Sequence, residues 1–261
     1  MDLASLSTGN RALGNASGTA ALEIVLSGPG PILEAMAGLV AVLSGAPCEA
    51  ILDGAVLGQG VPFSMTPGQR LSIRPGRTGA RAYLCVAGGF AEPRPFLPPV
   101  RIAAGDLLVR SGSDPEVKSV RLARPQDLSA DPVVRIVLGS QAERFSPRGV
   151  SLILESSYRV SSASDRRGVR LEGPSVEAEA SLGGAEIPSE GTALGAIQVP
   201  AGGQPIVLGP DRPITGGYAK IGTVISADFP ILAQARPGSS VRFRAVGIGE
   251  AVEARGRMSG P

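Results

Sequence analysis

GAIQVPAGGQPIVLGPDRPITGGYAKIGTVISAD, residues 195–228, holds three short apolar runs, AIQV, IVL and IGTVI, each set off by glycine or proline. Apolar runs this short, bounded by such breakers, read as strands joined by turns and not as helices. The same punctuation extends along the chain, where 36 glycines and 23 prolines in 261 residues leave short gaps between breaks. EAILDG (49–54), RLSIRP (70–75), RAYLCVAGG (81–89), DLLVR (106–110) and VVRIVLG (133–139) all read as strands. The first 45 residues read as one or two helices and a strand, with a turn within RALGNASGTA (11–20) and a strand in ALEIVLSGP (21–29). The segment 111–132, SGSDPEVKSVRLARPQDLSADP, is polar and proline-containing and reads as a linker. The expectation is a mainly β chain with halves at 1–110 and 133–261. A weak internal echo fits two related halves: PGQRLSIR (67–74) parallels PGSSVRFR (237–244), each a Pro-Gly turn leading into a strand.

Composition narrows the chemistry. A formal charge of +2 with 3% aromatic residues gives neither the basic footprint nor the stacking surfaces of a nucleic-acid binder. Hydrophobic residues at 43% and charged residues at 18% suit a folded chain. Ile32–Ala46 is the most apolar helical-looking stretch, but it carries Glu34 and is shorter than the roughly 20 residues of a membrane span. No charged region followed by an apolar run opens the chain, and Cys48 and Cys85 sit in apolar surroundings that suit reduced thiols. A cytoplasmic protein with no membrane partner is expected. The chain has no histidine, which removes Ser-His and Cys-His nucleophile pairs and His-containing zinc sites. No metal site is expected. Proton transfer near neutral pH falls to Asp, Glu, Lys or Tyr with shifted pKa values, to the substrate or to a partner. Only Lys118 and Lys220 are lysines among 25 basic residues, so a compact ammonium at 220 stands out against arginine everywhere else.

Four segments carry polar residues that could do chemistry. In SASDRRGVRLEG, Asp165, Arg166 and Arg167 crowd a turn, which could bind carboxylate or phosphate or could be a solvated turn closed by its own ion pairs. Pro188-Ser189-Glu190-Gly191 sets Glu190 at a strand end, as a base or as an exposed turn acid. Gln198 lies between apolar neighbours, orienting a ligand or facing solvent from an alternating strand. Asp211-Arg212-Pro213-Ile214-Thr215-Gly216-Gly217-Tyr218-Ala219-Lys220 packs an acid, two cations, a hydroxyl and a phenol around a glycine pair that permits close backbone approach or positive φ. It is not a phosphate-binding loop, because G-x-x-x-x-G-K-[ST] is absent.

SDRRGVRLEG (164–173), IPSEGTALGAIQVPAGGQPIVLGPDRPITGGYAKIGTVISAD (187–228) and AQARPGSSVRF (233–243) together resemble the KipA family, also called allophanate hydrolase subunit 2 or the biotin-dependent carboxyltransferase family. MDLASLSTGNRALGNASGTAALEIVLSGP (1–29) and RAYLCVAGGF (81–90) extend the resemblance through most of the chain. It implies a mainly β fold of two cyclophilin-like β-barrel halves with a few short helices. It also implies a subunit of an ATP-dependent 5-oxoprolinase that opens 5-oxoproline to glutamate. The partners would be a KipI-like subunit together with a lactam-utilisation subunit, with ATP at a site shared with a partner. The alternatives within the family are the carboxyltransferase component of a biotin-dependent urea or amide carboxylase, which would bring biotin, and a non-catalytic KipA-like regulatory binding protein.

Either enzyme needs polar groups around a planar amide or urea-like group and help for developing negative charge. Lys220 and Arg212 are the expected charge stabilisers. Tyr218 and Gln198 are the expected orienting partners, Asp165 and Glu190 the candidates for proton transfer or cation positioning. Asp211, Thr215, Arg166 and Arg167 complete the expected substrate-binding set. The sequence departs from the family twice. The glycine-rich stretch that usually precedes Met-Asp is missing, so a lost N-terminal segment or a misplaced start is expected. Phe90–Asp106, FAEPRPFLPPVRIAAGD, is short and proline-rich where relatives carry a glycine-rich segment with Arg-Ser-Thr, which puts a first-half contribution to the site in question.

Overall fold

The computed structural model describes residues 1–91, 100–112 and 131–258. The chain divides into two compact units, Asp2–Gln126 and Asp127–Pro261. The expected linker falls outside the described residues except at its ends, as does much of the proline-rich stretch after Phe90.

The first unit opens with helix α1 (Leu3–Ala12), capped where the Asp2 carboxylate accepts from the Ser5 amide at 2.9 Å. Strands β1 (Leu22–Val25), β2 (Ile32–Glu34), β3 (Leu39–Gly45), β4 (Cys48–Leu52), β5 (Ala55–Leu57), β6 (Phe63–Met65), β7 (Arg70–Pro75) and β8 (Arg81–Val86) follow. They form two four-stranded sheets, in the orders β1-β8-β3-β6 and β2-β7-β4-β5. Alternation along β3 explains the layering. Ala41 and Leu43 join a core shared with Leu71 and Ile73 of β7, while Val42 turns to the other face and packs with Ala12 and Leu13.

Two local readings change here. Ile32–Ala46 is no helix but two strands, because Gly38 breaks it and the β-branched Val40 and Val42 suit a strand buried on both faces. DLLVR forms no strand, only a bridge between Arg110 and Phe90, since Leu107 and Val109 are exposed and give a ladder no core to grip.

The second unit comprises β9 (Val133–Leu138), a 3₁₀ turn (Ser140–Arg144), α2 (Pro147–Glu155), β10 (Ser157–Val160), β11 (Gly168–Glu172), a second 3₁₀ turn (Ala180–Leu182), β12 (Glu186–Gly191), β13 (Ala196–Gln198), β14 (Ile206–Leu208), β15 (Thr215–Tyr218), β16 (Lys220–Val224), α3 (Phe229–Ala233), β17 (Ser240–Ala245) and α4 (Ile248–Met258). Seven of these strands close a barrel in the order β10-β11-β14-β13-β16-β9-β17, sealed by parallel pairing of β9 with β17. Inward residues alternate with outward ones, and Val134, Ile136, Tyr158, Leu171, Ile197, Ile221, Val241 and Phe243 fill the interior. Each such side chain contributes about 1.5–3 kcal/mol by leaving water. The mainly β reading therefore holds, with the closed barrel in the second unit and two sheets in the first.

The two Pro-Gly segments share geometry as well as letters. Gly68 and Gly238 have φ of 86° and 89°. Gln69 and Ser239 each donate back across the turn, to Thr66 at 3.1 Å and Arg236 at 3.0 Å. These are type II turns, for which glycine at positive φ is required. Each then delivers two inward residues, Leu71 with Ile73 and Val241 with Phe243.

Outside the barrel, Arg135 on β9 makes a bidentate pair with the buried Asp228, Nε to Oδ2 at 2.9 Å and Nη2 to Oδ1 at 2.6 Å. Asp228 Oδ2 also accepts from the Arg135 amide at 2.7 Å, which pins the start of α3 to β9. The hydrogen bonds to Asp228 outweigh the effect of burial and push the Arg135 pKa up. Asp228→Ala is expected to cost about 2–4 kcal/mol, read as a lowered urea unfolding midpoint. A loss below about 0.5 kcal/mol would place the pair with ordinary surface contacts.

Candidate active site

β12 and β15 form a two-stranded ribbon apart from the barrel ladder, with Glu190 opposite Gly216 and Gly191 opposite Thr215. A register shift between Glu186 and Glu190 re-aims the end of β12, as bulges do. β15 runs into β16 through the buried Ala219, so Tyr218 and Lys220 share the outward face. Gln198 lies opposite Lys220 in the β13–β16 ladder, at a second register shift. Strand pairing thus gathers residues separated by up to 30 positions.

At the centre, Lys220 Nζ donates to Glu190 Oε1 at 2.9 Å and to the Tyr218 carbonyl at 3.3 Å. The Lys220 side chain is 13% exposed and that of Glu190 46%. Gln141, in the first 3₁₀ turn, donates through Nε2 to the same Glu190 oxygen at 2.8 Å, and its Oε1 accepts from the Lys220 amide at 2.8 Å. Donation from Lys220, then from Gln141, holds the Glu190 carboxyl below the ordinary range. Among the described residues, the third Lys220 proton, Glu190 Oε2, the Gln198 amide and the hydroxyls of Tyr218 and Thr215 take no hydrogen-bond partner.

The glycine pair serves close approach, because neither residue has positive φ. A Cβ on Gly216 would come within 3.2 Å of Thr192 Cγ2 and 3.8 Å of Gln198 Oε1, and one on Gly217 within 3.2 Å of the Ile187 carbonyl. Thr192 links the ribbon to Arg212: its hydroxyl donates to the Pro213 carbonyl, and its own carbonyl accepts from Arg212 Nε at 3.1 Å. Arg212 Nη1 reaches the Gly209 carbonyl at 3.4 Å.

The arginine-rich turn closes largely on itself. Arg166 pairs with Asp211 at 2.7 and 3.1 Å. Asp165 accepts from the amides of Arg167 and Gly168 at 2.8 and 3.1 Å and from Arg167 Nε at 3.0 Å. Burial works against charge on Asp165, but these donors outweigh it and lower its pKa. Lys220, Glu190, Gln198, Tyr218 and Thr215 therefore form one group, whereas Asp165 and Arg167 are committed to their turn and Arg166 to Asp211.

Residues 1–245 match the family described as the carboxyltransferase domain, subdomain A and B. The chain belongs to this carboxyltransferase-domain family. It is similar to the 5-oxoprolinase C subunit of Haemophilus influenzae, 31% identical over 98% of this chain and 84% of the relative. It is similar also to the 5-oxoprolinase C subunit of Escherichia coli, 32% identical with the same coverage. The crystal structure of Kluyveromyces lactis urea carboxylase superposes on 99% of the chain with a TM-score of 0.85 at 24% identity, a likeness of fold. The chain spans 26% of that structure, and 48% of TTHA0988, a solved structure 35% identical over 93% of the chain with a TM-score of 0.80.

Within this carboxyltransferase domain, Gln141 is the participant that sequence reading missed. GSQAER offers no pattern that singles it out, and only the fold brings it to Lys220, 79 positions along.

Asp165 has a pKa depressed in the folded chain, so its stabilisation is present above the unfolded carboxylate pKa and lost as pH falls through the folded value. Asp165→Asn keeps an oxygen for the two amides and removes the titration. Urea midpoints taken down to about pH 3 are expected to fall less steeply in this variant than in the unmodified chain; parallel curves would contradict this role of Asp165.

Proposed function

We propose that the chain is a hydrolase subunit, the C subunit of an ATP-dependent 5-oxoprolinase, which opens 5-oxoproline to glutamate only together with partner subunits. The observation that carries this reading is the donor–acceptor pair left open at the ribbon, a Lys220 ammonium proton beside Glu190 Oε2. A lactam is the complement of that pair: its carbonyl oxygen accepts from Lys220 and its N–H donates to Glu190. Near full-length similarity to two relatives, each named as the C subunit of 5-oxoprolinase, supports the same reading.

In this reading Lys220 stabilises the negative charge that builds on the lactam oxygen, the type of preorganised interaction that dominates acyl-transfer catalysis. Glu190, with its depressed pKa, is a poor base near neutrality and acts to position the cation and receive the lactam N–H. Gln198, Tyr218 and Thr215 orient the ring, and Arg212 adds positive charge nearby. ATP in this reading occupies a site shared with a partner. A KipI-like subunit together with a lactam-utilisation subunit are the partners we propose, in the cytoplasm. Among the described residues, no helix is long and apolar enough to cross a membrane.

One observation favours a second reading. A relative named as a putative urea carboxylase, from Emericella nidulans, is 30% identical over 99% of the chain, which spans 23% of that relative. Urea presents the same carbonyl and N–H, so a carboxyltransferase component of a biotin-dependent urea or amide carboxylase would use the same residues. A non-catalytic regulatory role would leave the open pair without a substrate.

The test is co-expression with both partners and an assay of 5-oxoproline-dependent ATP hydrolysis. Lys220→Ala and Lys220→Arg are each expected to lower kcat/KM by about a hundredfold or more, the latter because a guanidinium does not fit a site shaped for an ammonium. Equal activity in wild type and Lys220→Ala would refute the site. Turnover of urea with a biotin carboxylase partner, and none of 5-oxoproline, would favour the second reading.

A further inference from the structure

We propose that Gln141 is a positioning residue for this site, clamping the Glu190 carboxylate with one end of its amide and the Lys220 backbone with the other. This rests on the reading of Lys220 and Glu190 as the groups that meet the substrate.

The partners specify the residue. The Lys220 amide needs an acceptor and the Glu190 carboxylate needs a donor, at 2.8 Å in each case. A flipped amide would set donor against donor and acceptor against acceptor, so the orientation is determined. Glutamate at 141 would oppose the Glu190 carboxylate, lysine or arginine would offer no acceptor, and asparagine would fall a methylene short. Glutamine alone among the long polar side chains satisfies both sites.

The clamp has work to do because of where Glu190 sits. It lies on an outlying ribbon with its side chain 46% exposed. An exposed ion pair is weak and mobile, since two long side chains must be ordered to form it. Gln141 and Lys220 donate to one and the same oxygen, Oε1, at 2.8 and 2.9 Å. That double donation fixes the carboxylate through Oε1 and leaves Oε2 without a partner among the described residues. The other half of the clamp fixes the strand start that carries the lysine, and Gly139 ties the base of the turn to β16 by donating to the Ile221 carbonyl at 3.1 Å. Lys220 is thus oriented from its backbone and through its partner by one side chain.

The two-lysine composition gives a direct readout. Lysine-selective isotope labelling yields side-chain signals from Lys118 and Lys220 only, and Lys118→Arg assigns them. In the free chain, Gln141→Leu is expected to move the Lys220 side-chain signal toward that of a free lysine. In the reconstituted complex, Gln141→Leu is expected to lower kcat by about tenfold to a hundredfold while KM changes by less than about threefold. A purely packing role would leave the Lys220 side-chain signal in place. An unmoved Lys220 signal, or kcat within about twofold of wild type in Gln141→Leu, would overturn the proposal. Should Gln141→Leu not fold, Gln141→Asn, a methylene short of both partners, decides by the same signal. If the wild-type complex does not hydrolyse 5-oxoproline, the functional reading fails by itself, and the lysine signal alone decides the clamp.

Discussion

The antiparallel ladder between β9 and β16 is the constraint on which the site depends. It pairs Gly222 with Leu138, Thr223 with Val137 and Val224 with Ile136. With that register set, the chain leaving β9 crosses the start of β16, and the 3₁₀ turn that follows carries Gln141 over Lys220. β9 is itself held on its other edge by parallel pairing with β17, and Asp228 grips it through both the Arg135 side chain and amide. A one-residue slip would turn Lys220 into the barrel and Ile221 out, burying a charge and exposing an apolar side chain. The interior of Ile136, Ile197 and Ile221 opposes that slip with several kcal/mol, so the placement of the cation is a by-product of core packing.

The same magnitudes separate what stabilises the fold from what serves the site. Arg135–Asp228 is largely buried, bidentate and reinforced by a backbone donor, and its loss would leave an uncompensated charge. In Lys220–Glu190 the carboxylate side chain is about half exposed, and an ion pair open to water on that side adds little to stability. The fold has little need of this second pair. Its double donation to one oxygen leaves Oε2 open, the feature on which the proposed site rests.

Much of the architecture was legible in the sequence. RLSIRP and VVRIVLG coincide with β7 and β9 to within a residue, because breakers bound them and their apolar residues alternate. Ile32–Ala46 misled because its apolar residues suit a two-faced buried strand as well as a helix, a distinction periodicity does not make. DLLVR misled because apolar letters say nothing about whether a core lies beneath them. In the candidate site, the run from Thr215 to Lys220 was legible as a dense polar segment that ends on one of the chain's two lysines. Gln141 was not legible, since its role consists of two long-range contacts that exist only once the barrel has closed.

The cations near the site also sort themselves by what already holds them. The second half is rich in arginine, and any cluster of it reads as an anion site from sequence. In the fold, Arg167 is taken by Asp165 and Arg166 by Asp211, so each arrives with its charge largely offset. Arg212 differs: its partners among the described residues are the carbonyls of Thr192 and Gly209, which orient a guanidinium without cancelling its charge. Lys220 has a carboxylate, but shares that oxygen with Gln141 and keeps a proton uncommitted. Arg212 therefore brings a charge that its carbonyl partners do not offset, and the Lys220–Glu190 pair brings an open donor and an open acceptor. A substrate that carries a carboxylate as well as an amide would draw on both, and urea, with no carboxylate, would draw on only one.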